Sequence, residues 1–160
     1  MDTLRRAKFI EAKANEAIEK TGQTMPPIEL NAIAAHYGIP VRRGNRDDSV
    51  AAHFDPARND IVLGEFVRWP FAHELGHALL QHGSSVCEVG VASAADDDED
   101  QASLGTPFEQ EANRFARHLL VPRAMVESLM ARGAKIPDLA RRCQVSEKVI
   151  WLAVDSYGLV

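Results

Sequence analysis

Two imidazoles and a carboxylate sit together in "FAHELGHALLQH", residues 71–82. On a helix, residues four apart share a face, so His73 and His77 can turn their rings to one ion. Glu74 lies about 100° further round the helix. It is badly placed to complete the same bite and well placed to reach a water on the open side. This is the logic of H-E-x-x-H: two nitrogen ligands for Zn2+ and a carboxylate as general base. The composition of the chain supplies only about 0.02 such matches by chance. The rest of the helix is apolar: Phe71, Ala72, Leu75, Gly76, Leu79 and Leu80. Polar side chains buried on such a helix need partners, and a metal provides them.

A catalytic zinc takes a third protein ligand. "PFEQEANRFARHLLVP", residues 107–122, offers Glu109 and Glu111. On a helical wheel, Ala112, Phe115, Ala116, Leu119 and Leu120 form an apolar arc. Glu109 falls inside that arc and Glu111 outside it, beside His118. The wheel therefore favours Glu109 as the ligand over Glu111. Asn113 lies at the edge of the same arc, one turn on, placed to hydrogen-bond a ligand. The catalytic assignment is Glu74, and the metal assignment is His73, His77 and Glu109.

The other histidines carry plainer readings. His82 ends the metal helix and suits its dipole or cap better than ligation. His53 falls on an expected strand that could line a cleft and take a peptide by edge addition. An ordinary strand histidine is the favoured reading. His118 could aid an oxyanion, but it shares the Glu111 side.

The elements that must position these residues can be read around them. Leu4 to about Thr21 is an amphipathic helix broken by Gly22. Pro26-Pro27 are expected to open a second helix, "IELNAIAAHYG", ended by Gly38. "IPVRR" reads as a strand and "GNRDD" as a polar loop. "SVAAHF" and "DIVLG" flank the turn "DPARN", which gives a hairpin. Trp69 to about His82 is the metal helix. Residues 92–105, "ASAADDDEDQASLG", lose all periodicity and hold the acidic run Asp96–Asp100. They read as a solvated, mobile loop. Thr106 caps the next helix with Pro107 at its first position. It runs to about Leu120. Further helices are expected at Arg123–Ala131, Pro137–Cys143 and Ser146–Tyr157.

The chain of 160 residues is expected to be one domain, residues 1–160, with 46% apolar residues and a net charge of −5. No basic excess points to nucleic acid. No signal-type or membrane-spanning apolar run is present, so a cytoplasmic protein without membrane attachment is expected. Cys87 and Cys143 read as reduced core thiols. Residues 136–160 have the outline of a helix-turn-helix. From Leu104 onward, eight Lys or Arg face six Asp or Glu, a weak excess. Glu147 and Asp155 are poor company for phosphates, so packing or partner docking is favoured over DNA binding. Trp151 and Tyr157 suit a protein-contact surface.

"FAHELGHALL" followed by "EQEANRFARHLLVP" resembles the ImmA/IrrE family of metallopeptidases. "AAHFDPARNDIVLG" and "DLARRCQVSEKVIWLAVDSYGL" are similar to the family's hairpin and helical C-terminal segment. The acidic run Asp96–Asp100 departs from it. The resemblance implies a glutamate-zincin with His73, His77 and Glu109 on zinc and Glu74 as the catalytic glutamate. It implies cleavage of a repressor of the Xre, helix-turn-helix type. The expected fold is α+β and zincin-like: a small, mostly antiparallel sheet packed on the metal helix, with further helices and a C-terminal helical pair. The expected activity is zinc-dependent peptide hydrolysis. A regulator or toxin-like module with a structural zinc is the alternative.

Overall fold

A stripe of Ile10, Ala14, Ala17 and Ile18 buries one face of the first helix, α1 (Thr3–Lys20). The Asp2 side chain caps its start, accepting from the Leu4 N–H at 3.3 Å. Its end is closed by the Thr21 hydroxyl, which donates to the Ala17 and Ile18 carbonyls. Gly22, at φ +67°, then turns the chain. The structure is a computed structural model that describes residues 2–43, 52–63, 68–81 and 106–160. The "GNRDD" loop, His82, Cys87 and the acidic segment 92–105 lie outside the described residues.

The second helix, α2 (Leu30–His36), starts later than the prolines suggest. The Gln23 amide explains the delay. It accepts from the Glu29 N–H at 2.6 Å and donates to the Glu29 carbonyl, so Glu29 is held by a side chain. Ile28 is meanwhile fully buried as an anchor ahead of the helix.

Three short strands follow: β1 (Val41–Arg43), β2 (Ala52–Asp55) and β3 (Asp60–Leu63). They are ordered β1-β3-β2. β2 and β3 form the expected antiparallel hairpin, with Phe54 opposite Ile61. Asp55 shapes the turn by accepting from the Ala57 and Arg58 N–H groups. β1 pairs with β3 in parallel, so the sheet is mixed. That pairing joins segments about twenty residues apart and has no local turn signal. Arg42 secures it by donating to the buried Asp60 at 2.6 Å.

The helix α3 (Arg68–Leu79) is buried without interruption from Trp69 to His77. Beside it lies α4 (Pro107–Leu120), capped by Thr106 as expected. Gly76 lets the two helices meet. A Cβ there would lie 3.0 Å from the Ala112 Cα and 3.1 Å from its carbonyl oxygen.

α5 (Arg123–Ala131), α6 (Ile136–Cys143) and α7 (Glu147–Ser156) complete the fold. Ser146 caps α7, and Gln144 takes the left-handed conformation that ends α6. Cys143 is a buried free thiol, pushed up to about 11 by desolvation. Tyr157 is also buried. Its hydroxyl donates to the Val121 carbonyl at 2.7 Å. It therefore belongs to the core, not to the contact surface expected of it, because the ring closes over α4. The architecture is α+β with a small mixed sheet and seven helices among the described residues, compatible with a zincin-like fold.

Candidate metal centre

His73 and His77 come to one face of α3 because they are one helical turn apart. The close approach at Gly76 brings the first turn of α4 over them. Glu109 then reaches both rings. Its two carboxylate oxygens lie 3.0 Å from His73 Nε2 and 3.0 Å from His77 Nε2. The two Nε2 atoms are 3.1 Å apart. One donor atom from each residue lies within 4.8 Å of the other two.

His73 Nδ1 donates to Asn113 Oδ1 at 2.7 Å. An amide oxygen only accepts, so this contact fixes the tautomer. The lone pair of Nε2 is turned toward His77 and Glu109. Three potential ligand atoms thus converge in a buried space, an arrangement that a cation satisfies and apolar packing does not. The donor set of two imidazoles and one carboxylate fits zinc.

The electrostatics follow from burial and these contacts. Desolvation pushes the Glu109 carboxyl up, but the His73 and His77 rings, each 3.0 Å from one of its oxygens, outweigh it and hold the group at about 2. Desolvation lowers His73, but Glu109 and Glu74 together leave it raised. His77 is lowered, chiefly by desolvation.

Glu74 is 1% exposed and is not among the converging donors. Desolvation pushes its carboxyl up to about 8. Its Oε1 has no hydrogen-bond partner among the described residues. The Phe54 backbone N–H donates toward this carboxylate, which seats β2 against the site. No residue type announces a backbone donor, so Phe54 is invisible to motif reading. Gly76 did leave a signal: a residue without a side chain on an otherwise bulky apolar helix.

The remaining candidates separate cleanly. Glu111 points away and takes both its oxygens to Arg6 Nε at 2.9 Å. His118 is buried, stacked on Tyr157 at 5.3 Å and 4.0 Å from Glu11. Nine residues of helix put it about 13 Å along α4 from Glu109. His53 pairs with Val62 through the β2–β3 register.

Comparison with known proteins bears on this arrangement. The model of the IrrE N-terminal-like domain, a peptidase family, matches residues 34–153. A solved structure of a Mycobacterium tuberculosis transcriptional regulator is similar, with a TM-score of 0.61 and 19% sequence identity. The match covers 89% of this chain and 45% of that one, so the chain spans less than half of that protein's length. At this identity the likeness is one of fold. No curated protein matches the sequence.

Proposed function

The chain belongs to the IrrE N-terminal-like family of peptidases, and on that premise we propose that it is a zinc-dependent endopeptidase. The observation that carries this reading is the convergence of His73, His77 and Glu109 beside a separate buried carboxylate, Glu74. We assign the first three as metal ligands and Glu74 as the general base. Zinc held by these residues supplies Lewis-acid chemistry toward a peptide carbonyl.

The chain's own groups supply the rest. Glu74 takes a proton from the attacking water and returns it to the leaving amine. Burial pushes that carboxyl up from the ordinary glutamate value, which makes its carboxylate a stronger proton acceptor. Asn113 holds His73 in the tautomer that offers Nε2. Among the described residues β2 is one of the two outer strands of the β1-β3-β2 order, and its Phe54 meets Glu74. A substrate segment adding to that edge would bring a peptide bond beside the base.

The substrate class we propose is an Xre-type, helix-turn-helix repressor, on the strength of the family resemblance. Such a substrate places the reaction in the cytoplasm. No described helix is long and apolar enough to cross a membrane. α7 carries Lys148 as its one cation beside Glu147 and Asp155, while Trp151 is 51% exposed. That surface suits protein contact better than phosphate contact.

The test is incubation of a candidate Xre-type repressor with wild type and with Glu74→Gln. Wild type should cleave it. The variant should keep its zinc and lose at least about a hundredfold in rate. A second reading, a regulator with a structural metal, draws on the fold shared with a transcriptional regulator. Specific DNA binding that persists in Glu74→Gln, without cleavage by wild type, would replace the first reading with the second.

A further inference from the structure

A concavity, about 460 Å³ in volume, lies between α5, α6 and the segment that follows α1. Its apolar part is made by Met25, Leu129 and Ala134. Its rim carries Arg132, Arg141 and Arg142. Asp138 is the one carboxylate in the lining, and it is already engaged. It forms an ion pair with Arg141 and accepts from the Lys135 N–H at 2.9 Å. Arg132 and Arg142 have no side-chain hydrogen bond or ion pair among the described residues. The chain as a whole is acidic, at −5. This groove therefore inverts the sign of the molecule around it.

The lining selects among anions. Guanidinium forks match carboxylates and phosphates with two parallel hydrogen bonds. A bare inorganic anion would leave the apolar side uncovered, including Met25 at 53% exposure. A nucleic-acid backbone presents dense negative charge, with one phosphate charge per ~1.7 Å of duplex axis. Asp138 within a concave groove opposes that. A peptide with carboxylates flanking an aliphatic side chain satisfies both parts. Its acidic groups meet Arg132 and Arg142, and its aliphatic group covers Met25 and Ala134.

We propose that this groove binds an acidic peptide segment of a partner protein, anchored by one aliphatic side chain. The site is separate from the metal cluster and does not depend on the peptidase reading. The probe is a fluorescein-labelled peptide of alternating Asp-Glu pairs and leucines. It is titrated against the full chain carrying Glu74→Gln, so that no probe is cleaved, at about 50 mM salt to limit screening. Anisotropy should report saturable binding. Arg132→Glu with Arg142→Glu should weaken it about tenfold or more, because two attractive contacts become repulsive. Replacing the probe's leucines by serine, or Met25 by serine, should weaken it severalfold.

Circular dichroism and the thermal midpoint of each variant confirm that the fold is intact. Equal binding by the double Arg variant, or by the serine probe, overturns the proposal. So does complete displacement by millimolar inorganic phosphate, which would mark a simple anion site. Tighter binding of a single-stranded oligonucleotide than of the peptide would also overturn it.

Discussion

Two glutamates two residues apart have opposite fates, and the helical period alone separates them. Glu109 enters the cluster at 3.0 Å from both imidazoles, while Glu111 goes to Arg6. Asn113 was equally legible, since it lies one turn beyond Glu109 on the same side and bonds His73. His118 was not. The wheel puts it beside Glu111, yet it is 4% exposed, because α1 and Tyr157 cover that side of α4. A helix with neighbours on two sides defeats a one-face reading. These placements give a graded metal prediction. Glu109→Ala should lose zinc to a chelator far more readily than wild type. Asn113→Ala should weaken zinc affinity about ten- to a hundredfold by freeing the His73 ring. Glu111→Ala should leave metal content unchanged and cost no more than about 1 kcal/mol, as a partly exposed ion pair does. Competition against a zinc-binding dye would measure all three. Zinc release by Glu111→Ala alone would refute the ligand assignment.

At the level of elements, local signals worked where the partner was adjacent in sequence. The hairpin needed only two strands and the turn between them. The start of α4 needed only Thr106 and Pro107. The parallel pairing of β1 with β3 and the late start of α2 were set by distant or side-chain partners, so no local pattern carried them. The contact between α3 and α4 is the element-scale feature on which the site depends. A glycine at position 76 permits it without crowding, since a Cβ would stand 3.0 Å from the Ala112 backbone, a few tenths of an ångström closer than such contacts ordinarily come. Backbone atoms cannot swing aside as a flexible side chain can. Gly76→Ala should therefore push the helices apart and destabilise the fold by about 1–3 kcal/mol, the usual range for overpacking. The intrinsic helix preference of alanine acts in the opposite direction, by about 1 kcal/mol. The net loss should appear as a lower urea midpoint, together with weaker zinc binding because Glu109 moves with α4. A midpoint equal to or above that of wild type would show that the helices have room to spare.

Over the whole molecule, a partly buried polar network ties the first helix to the last. Arg123 donates to Glu11 of α1 at 2.7 Å and to the Tyr157 carbonyl at 3.1 Å, and its guanidinium lies over the Tyr157 ring. His118 is enclosed in this network, stacked on Tyr157, with no hydrogen bond to its Nδ1 among the described residues. Desolvation pushes its imidazole down to about 4; Glu11 opposes that shift, and the arginines at 117, 114 and 123 add to it. The unfolded chain would protonate this residue near the ordinary value of 6.5. Between the two values the unfolded state holds a proton that the folded state excludes. Acidification across that window therefore favours unfolding, by up to about 1.4 kcal/mol for each pH unit. Above 6.5 neither state is protonated, and stability no longer changes through this group. Glu11 acts in the same direction at lower pH. Its hydrogen bond with Arg123 holds its carboxyl below 4.5, and the stabilisation is lost as pH falls through that lowered value. Any metal held at the cluster would also be released in acid, so the measurement belongs on chelator-treated protein. Denaturant melts at pH 7, 6 and 5 should show wild-type stability falling, while His118→Phe, which keeps the stack on Tyr157, should flatten the fall. His118→Gln, a smaller side chain without a titration, should flatten it equally even if it lowers stability throughout. Parallel slopes in wild type and both variants would assign the acid sensitivity to other groups, and would mean that His118 takes up its proton without opening the network.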